Sequence, residues 1–304
     1  MPLKLVTPKE LIRTIRNLEN KKAPGFDLIT GEILKHLPMK TIVFLTMLFN
    51  AIMRVQYYPI IWKISHICMI PKPGKVPTEP SSYRPISLLP IISKVFEKIL
   101  LNRMKPILIE SHIMPDHQFG FREQHSTVEQ GHRVAHKIRE TLERKEYCSA
   151  VFLDIQQAFD RVWHEGLLYK LKTLLPNSLY MILKSYLSGR KYQVKFEDEL
   201  SNIYNIKASV PQGSVLGPIL YSIYTADLPS TSEVETATYA DDTACLASDI
   251  YPDRASQKLQ IHLDKIDQWL SKWRIKYSAS KSKHITFTLH KDTMVYNGWQ
   301  RVTE

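Results

Sequence analysis

The sequence predicts an α+β fold, a sheet with helices packed on one face. Three observations point there. The block Ala150-Val151-Phe152-Leu153-Asp154-Ile155 is short, almost wholly apolar and bounded by polar residues, which suits a buried strand better than a helix. Further strand-like segments stand at residues 193–196, 237–239 and 243–247 and in the alternation Ile285, Phe287, Leu289. Between them Leu259, Leu263, Ile266, Leu270 and Trp273 form one helical stripe, a pattern of core packing.

The remaining elements follow in chain order. Thr7-Pro8-Lys9-Glu10 reads as a helix start, with a hydroxyl cap, proline in the first turn and a reciprocal glutamate ahead of Leu11, Ile12, Ile15 and Leu18. Lys21-Lys22-Ala23-Pro24-Gly25-Phe26-Asp27 breaks that helix. The longest apolar run, residues 42–53, is interrupted by Thr46 and Asn50 and is too short to span a bilayer. The N-terminus lacks the basic-then-apolar pattern of an export signal, so no membrane or secretory role is expected. A proline-dense stretch, residues 71–90, reads as an extended basic loop with flanking strands, suited to closing over a ligand. Helical periodicity returns at 93–104, with Val95, Phe96, Ile99 and Leu100 on one face, and at 126–142 after a Ser-Thr-x-Glu capping pattern. There is no internal repeat or low-complexity tract.

Composition narrows the class of partner. With 304 residues, 44% hydrophobic and 23% charged, the chain can build one large or two ordinary globular domains. Lysine and arginine outnumber aspartate and glutamate by 41 to 30, a net charge of +11, so its field attracts polyanions such as nucleic acid. Composition alone does not decide that partner. Cys68, Cys148 and Cys245 are far apart and match neither a disulfide framework nor a zinc site, which fits a reducing intracellular setting. His132 and His136 stand one helical turn apart but lack the glutamate of a helical zinc-hydrolase pair, so surface or nucleic-acid contact is the expectation for them.

The chemistry rests on aspartates. Tyr239-Ala240-Asp241-Asp242 lies between two short apolar segments, which places the paired carboxylates at the tip of a hairpin, where they repel unless a cation lies nearby. Asp-Asp is common in exposed turns, so the pair alone is weak. Asp154 adds weight, because a carboxylate at the end of a buried apolar strand is costly unless paired, hydrogen-bonded or bound to metal. Asp154 and Asp241 together can share hard divalent ions, and two such ions suit an in-line phosphoryl displacement.

Longer segments carry a family resemblance. VFLDIQQAFDRVWHEGLLYKL (residues 151–171), SVPQGSVLGPILYSIYTADLP (209–229) and YADD (239–242) resemble successive motifs of non-LTR retrotransposon reverse transcriptases, most closely the jockey-type elements of animals. APGFD (23–27), SYRPISLL (82–89) and QFGFREQHST (118–127) match further motifs in the same order, so the resemblance covers nearly the whole chain.

The resemblance implies a right-hand polymerase fold with fingers at about residues 20–85 and 166–206 and palm at about 86–165 and 207–290, after an N-terminal helix at 1–19. It also implies a largely absent thumb, with 291–304 the start of its connection, and a missing upstream endonuclease, as in a fragment of a larger polyprotein. By residue, it implies Asp154, Asp241 and Asp242 as catalytic metal ligands, Asp242 a secondary one, with the carbonyl of Ile155 completing a shell for two Mg²⁺ ions that Mn²⁺ can replace. Phe159 corresponds to an aromatic steric gate against a 2′-hydroxyl. Arg84 and Lys72 (or Lys75) correspond to triphosphate-gripping cations, and Gln212 and Gly213 to a loop beside the incoming nucleotide. Lys281 corresponds to a lysine assisting pyrophosphate departure, although Ser278 stands where the family often has asparagine. Gln118, Phe119, Gly120, Phe121, Arg122 and Tyr239 fall on template and primer contacts. The implied partners are an RNA template, a DNA primer or target and deoxynucleoside triphosphates, met in the nucleus when copying occurs. The competing expectation is a catalytically silent nucleic-acid-binding relic of such an element.

Overall fold

The computed structural model describes residues 3–76, 78–122 and 124–290. Along the chain run α1 (Pro8–Arg16), α2 (Gly31–Lys35), α3 (Met39–Val55), β1 (Ile64–Pro71), β2 (Tyr83–Leu88), α4 (Ile91–Glu110), α5 (Thr127–Glu143) and β3 (Tyr147–Asp154). They are followed by α6 (His164–Leu174), α7 (Asn177–Leu187), β4 (Lys191–Phe196), β5 (Glu199–Leu200), β6 (Tyr204–Asn205) and α8 (Gly217–Thr225). The last elements are β7 (Val234–Tyr239), β8 (Asp242–Asp249), α9 (Pro252–Lys272) and β9 (Lys283–Phe287). They fall into two compact units, Met1–Ile113 with Trp163–Leu220, and Met114–Val162 with Tyr221–Glu304. The expected thumb connection at 291–304 lies outside the described residues.

In the first unit, β1 pairs antiparallel with β2 and parallel with β4, and the short β5 and β6 extend β4. The two strands flanking the basic proline-rich stretch are thus β1 and β2. Val95, Phe96, Ile99 and Leu100 of α4 are fully buried, the face the periodicity predicted. Phe96 packs against Phe49 and Tyr58 at ring-centroid separations of 5.0 and 5.9 Å, so aromatic contacts join α4, α3 and the segment before β1. Thr7 caps α1 through its Oγ1, which accepts the Glu10 N–H. The predicted reciprocal bond is not made: the Glu10 carboxylate instead accepts a bidentate pair from Arg103 of α4 at 2.6 and 2.7 Å. A guanidinium fork outcompetes a single backbone N–H for a carboxylate, and it ties α1 to α4.

The second unit is built on a wholly antiparallel sheet of order β7-β8-β3-β9. Here the prediction of helices on one face is corrected. Val134 and Ile138 of α5 pack against Cys148, Ala150, Ala237, Ala244 and Leu246. On the opposite face, buried His262 of α9 meets Thr236, the neighbour of Ala237, with its ring nitrogen 3.2 Å from Oγ1. The physical reason was present in β3 itself, whose residues 148–151 are buried at both parities, as a strand covered on both sides requires. At α5, Ser126 and Glu129 form the complete capping box that the pattern predicted.

Candidate active site

The carboxylates gather at one end of the second unit's sheet. Asp154 closes β3 and stands directly opposite Asp242, the first residue of β8. The prediction of both aspartates in the turn is therefore refined: Ala240 and Asp241 form the two-residue turn, and Asp242 already belongs to the ladder, paired with Tyr239. Like charges directly opposite in a ladder destabilise it by roughly 0.2–1 kcal/mol. Burial first, then the charges of Asp242 and Asp154, hold the Asp241 carboxyl above the usual carboxylate range. Burial and the same Asp241 and Asp242 charges push the phenol of Tyr221 far up as well.

Among the described residues, the Lys281 ammonium reaches the cluster. Lys281 Nζ is 3.4 Å from Asp154 Oδ2. The turn that carries it is fixed to the end of β3: Ser278 N donates to Asp154 O at 2.7 Å, Asp154 N donates to Ser282 Oγ at 3.2 Å, and Ser282 Oγ donates to Ser278 O at 2.8 Å. Ser278, in place of asparagine, joins this bracing through its backbone. Ile155 extends the strand end by a bridge to Tyr277.

The Asp turn is strained and supported. Ala240 has φ 58°, a left-handed value that costs a non-glycine residue about 1 kcal/mol or more. Buried Gln118 offsets this, its Oε1 accepting from Ala240 N at 3.1 Å and Gly120 N at 2.7 Å while its Nε2 donates to Ala240 O at 3.3 Å. Phe119 N donates to Thr238 O at 3.0 Å and Thr238 N to His117 O at 2.9 Å, so residues 117–119 lie along β7 as an added rung. A Cβ on Gly120 would stand 2.1 Å from Ala240 N, closer than any side chain permits. Gln118 and Gly120, expected at the template, are thus buried against the turn and act on it. Arg122 is committed locally too, donating to Pro115 O and Gln118 O at 3.0 and 3.3 Å. Phe119 lies against His125 and under the Arg133 guanidinium, while Tyr239 remains half-buried beside the carboxylates.

Phe159 has a defined seat. Its ring stacks on Tyr221 at 5.0 Å with 21° between planes, and Phe121 meets it edge-on at 5.8 Å. Tyr221 is only 2% exposed, so Phe159 leans on an immovable wall. Sequence reasoning passed over Tyr221, because a tyrosine in an apolar helix carries no spacing that separates it from ordinary core.

The residues expected at the nucleotide from the first unit are placed as follows. Arg84 on β2 is exposed and pairs in register with Ile70, and its side chain makes no hydrogen bond or ion pair among the described residues. Lys72 Nζ, also exposed, donates to Ser81 O at 2.8 Å. Gln212 O accepts from Ser87 N at 2.8 Å, and Gly213 has φ 126° with Ser87 O only 2.6 Å from where a Cβ would be. Glycine is required there on both counts.

A family profile described as "Reverse transcriptase (RNA-dependent DNA polymerase)" matches residues 70–300, most of the chain, with Asp154, Asp241 and Asp242 inside the match. The chain belongs to the reverse transcriptase family. It is 46% identical over 297 residues to the probable RNA-directed DNA polymerase from transposon BS of Drosophila melanogaster, covering 95% of this chain and 33% of that protein. To the RNA-directed DNA polymerase from the mobile element jockey of the same fly it is 45% identical, covering 94% and 32%. The jockey-type resemblance read from the motifs is borne out, and the chain spans about a third of the length of these relatives. Telomerase from Candida tropicalis shares the fold at a TM-score of 0.54 and 14% identity over 85% of this chain and 45% of that one. This reverse transcriptase unit has the oxygen donors that a hard divalent cation takes, and divalent ions are general to the family. Among the described residues, no group of three or more His, Cys, Asp or Glu side chains is gathered closely enough to hold a metal ion. The donor chemistry fits; the Lys281 ammonium lies where Asp154 offers its charge.

Proposed function

We propose that this chain carries the polymerising site of a retrotransposon RNA-directed DNA polymerase, extending a DNA primer by deoxynucleotides on an RNA template. The observation that carries the reading is the convergence of Asp154, Asp241 and Asp242 at one sheet end, where burial and the two neighbouring carboxylates raise the Asp241 pKa. A divalent cation relieves that repulsion. Asp154 and Asp241 would be the direct ligands, Asp242 a secondary one, and the Ile155 carbonyl would complete the set. Two bound ions, magnesium with manganese able to substitute, supply a more acidic primer 3′-hydroxyl and a stabilised leaving pyrophosphate.

The chain's own residues do the rest. Phe159, backed by Tyr221, presents a ring that cannot retreat from a 2′-hydroxyl, which selects deoxynucleotides. Arg84 offers a guanidinium not committed to any described residue, suited to bidentate contact with triphosphate oxygens, and Lys72 adds a point charge. Gln212 and Gly213 present backbone beside the incoming nucleotide. Lys281 neutralises Asp154 at rest and supplies positive charge to the departing pyrophosphate. Exposed Phe121, half-buried Phe119, Arg122 and Tyr239 contribute ring faces and charge along the template and primer. The nucleus is where an element copied at its chromosomal target would work.

Primer extension on an RNA template with deoxynucleotides and magnesium tests the reading, comparing the parent with an Asp241→Ala, Asp242→Ala double variant. Extension by the parent that vanishes in the variant is expected. A parent that binds nucleic acid but never extends a primer, with manganese as well, supports a silent relic instead.

A further inference from the structure

We infer that Glu97 is a positioning residue for nucleotide binding, anchoring the Gln212–Gly213 loop from beneath through a fully buried carboxylate. Glu97 lies in the apolar face of α4 with none of its surface exposed, where an unpaired carboxylate is costly. Its Oε2 accepts from Val215 N at 2.8 Å and Leu216 N at 3.2 Å, the two amides that follow the loop and precede α8. Its Oε1 accepts from the Tyr58 hydroxyl at 3.3 Å. Arg190, 1% exposed, supplies the compensating positive field, though no ion-pair contact joins it to Glu97. Burial raises the Glu97 pKa, and Arg190 and the two loop amides pull it back.

Other bonds hold the loop elsewhere: Ser87 N donates to the Gln212 carbonyl, Ser214 N to Pro211 O, and Gly217 N to Ser214 Oγ, while His164 Nε2 meets Ser209 O at 2.7 Å at its start. The carboxylate therefore does what an N-cap does, satisfying two amides ahead of a helix start, but from another helix 118 and 119 residues away in sequence. Gly213, at φ 126° with Ser87 O 2.6 Å from where a Cβ would be, brings its backbone close to β2, and Glu97 holds the stretch that follows.

This inference rests on the reading that Gln212 and Gly213 line the incoming nucleotide, and the test separates the two. Amide hydrogen exchange at Val215 and Leu216 is measured in the parent, Glu97→Gln and Tyr58→Phe, alongside deoxynucleotide KM and kcat in primer extension. Tyr58→Phe removes the bond to the other carboxylate oxygen and leaves the loop bonds intact. Glu97→Gln keeps an acceptor oxygen but loses the charge, so exchange at both amides is expected to quicken and KM to rise roughly tenfold with kcat nearly unchanged. Tyr58→Phe is expected to leave exchange and KM near the parent. Unchanged exchange in Glu97→Gln overturns the anchoring, as does an equal KM rise in Tyr58→Phe. Faster exchange with an unmoved KM overturns the role in nucleotide binding. A parent that does not extend primers strikes the polymerase reading, and exchange then decides the anchoring by itself.

Discussion

Two irregular segments carry the residues assigned to chemistry, and they are held in place by opposite means. The Tyr239–Asp242 turn is pinned by the neutral amide of Gln118, which offers one acceptor to two backbone N–H groups and one donor to a carbonyl. The Gln212–Gly213 loop is pinned through Val215 and Leu216 by the carboxylate of Glu97. Each segment contains a residue at positive φ and each anchor is buried, so the difference lies in charge alone. Three carboxylates already crowd the turn, and a charged anchor there would add a fourth like charge. The loop has no such crowd, and the buried Arg190 makes a carboxylate affordable beneath it. The anchor's charge is matched to what the segment must present.

The largest effect that sharpens this contrast comes from the carboxylates themselves. Asp154→Asn is expected to cut primer extension about 10³-fold or more. Its thermal midpoint should stay near the parent's, because the substitution removes both the like-charge pair with Asp242 and the largely solvent-exposed ion pair with Lys281. A variant that loses activity and stability together would mark Asp154 as a structural residue.

Gln118 comes next. Gln118→Ala strips partners from Ala240 N and Gly120 N in a buried site, which should cost about 3 kcal/mol in a denaturant titration. Gln118→Glu tests charge directly: it keeps the acceptor, yet should lose about 1–2 kcal/mol at neutral pH and regain most of it in acid, where carboxylates protonate. If Gln118→Glu proved as stable as the parent at neutral pH, charge matching would not explain the choice of anchor.

Much of this architecture was legible beforehand. The strand ending on Asp154, the hairpin around Asp241 and the α4 face of Val95, Phe96, Ile99 and Leu100 all follow from local apolar patterning, which is what periodicity reports. Glu97 was not legible, because a glutamate in Phe96-Glu97-Lys98 reads as a solvated position until Val215 and Leu216 arrive from far along the chain. The bracing by Gln118 was not legible for the same reason: its partners Gly120 and Ala240 are set by the rung its segment adds to β7. The second helical layer was legible in principle, since residues 148–151 bury both faces of β3. Local pattern finds elements; which polar residue is buried between them depends on tertiary pairing.

The smallest effect is electrostatic and probes the turn without chemistry. Burial and the neighbouring Asp242 and Asp154 raise the Asp241 pKa in the folded protein, so folding favours its protonated form relative to the unfolded chain. Its contribution to stability is present below the ordinary carboxylate range and is lost as pH rises through the raised value. Divalent cation bound at the turn opposes that loss, because it favours the ionised form in the folded state. Millimolar magnesium should therefore stabilise the parent at neutral pH by about 0.4 kcal/mol if its affinity is near millimolar, and should do little in acid. Asp241→Asn should flatten both the pH dependence and the magnesium response, whereas Glu97→Gln should leave the magnesium response intact. Equal magnesium responses in the parent and Asp241→Asn would show that the ion acts elsewhere on the protein, and the contrast between a charge-crowded turn and a charge-anchored loop would lose its electrostatic basis.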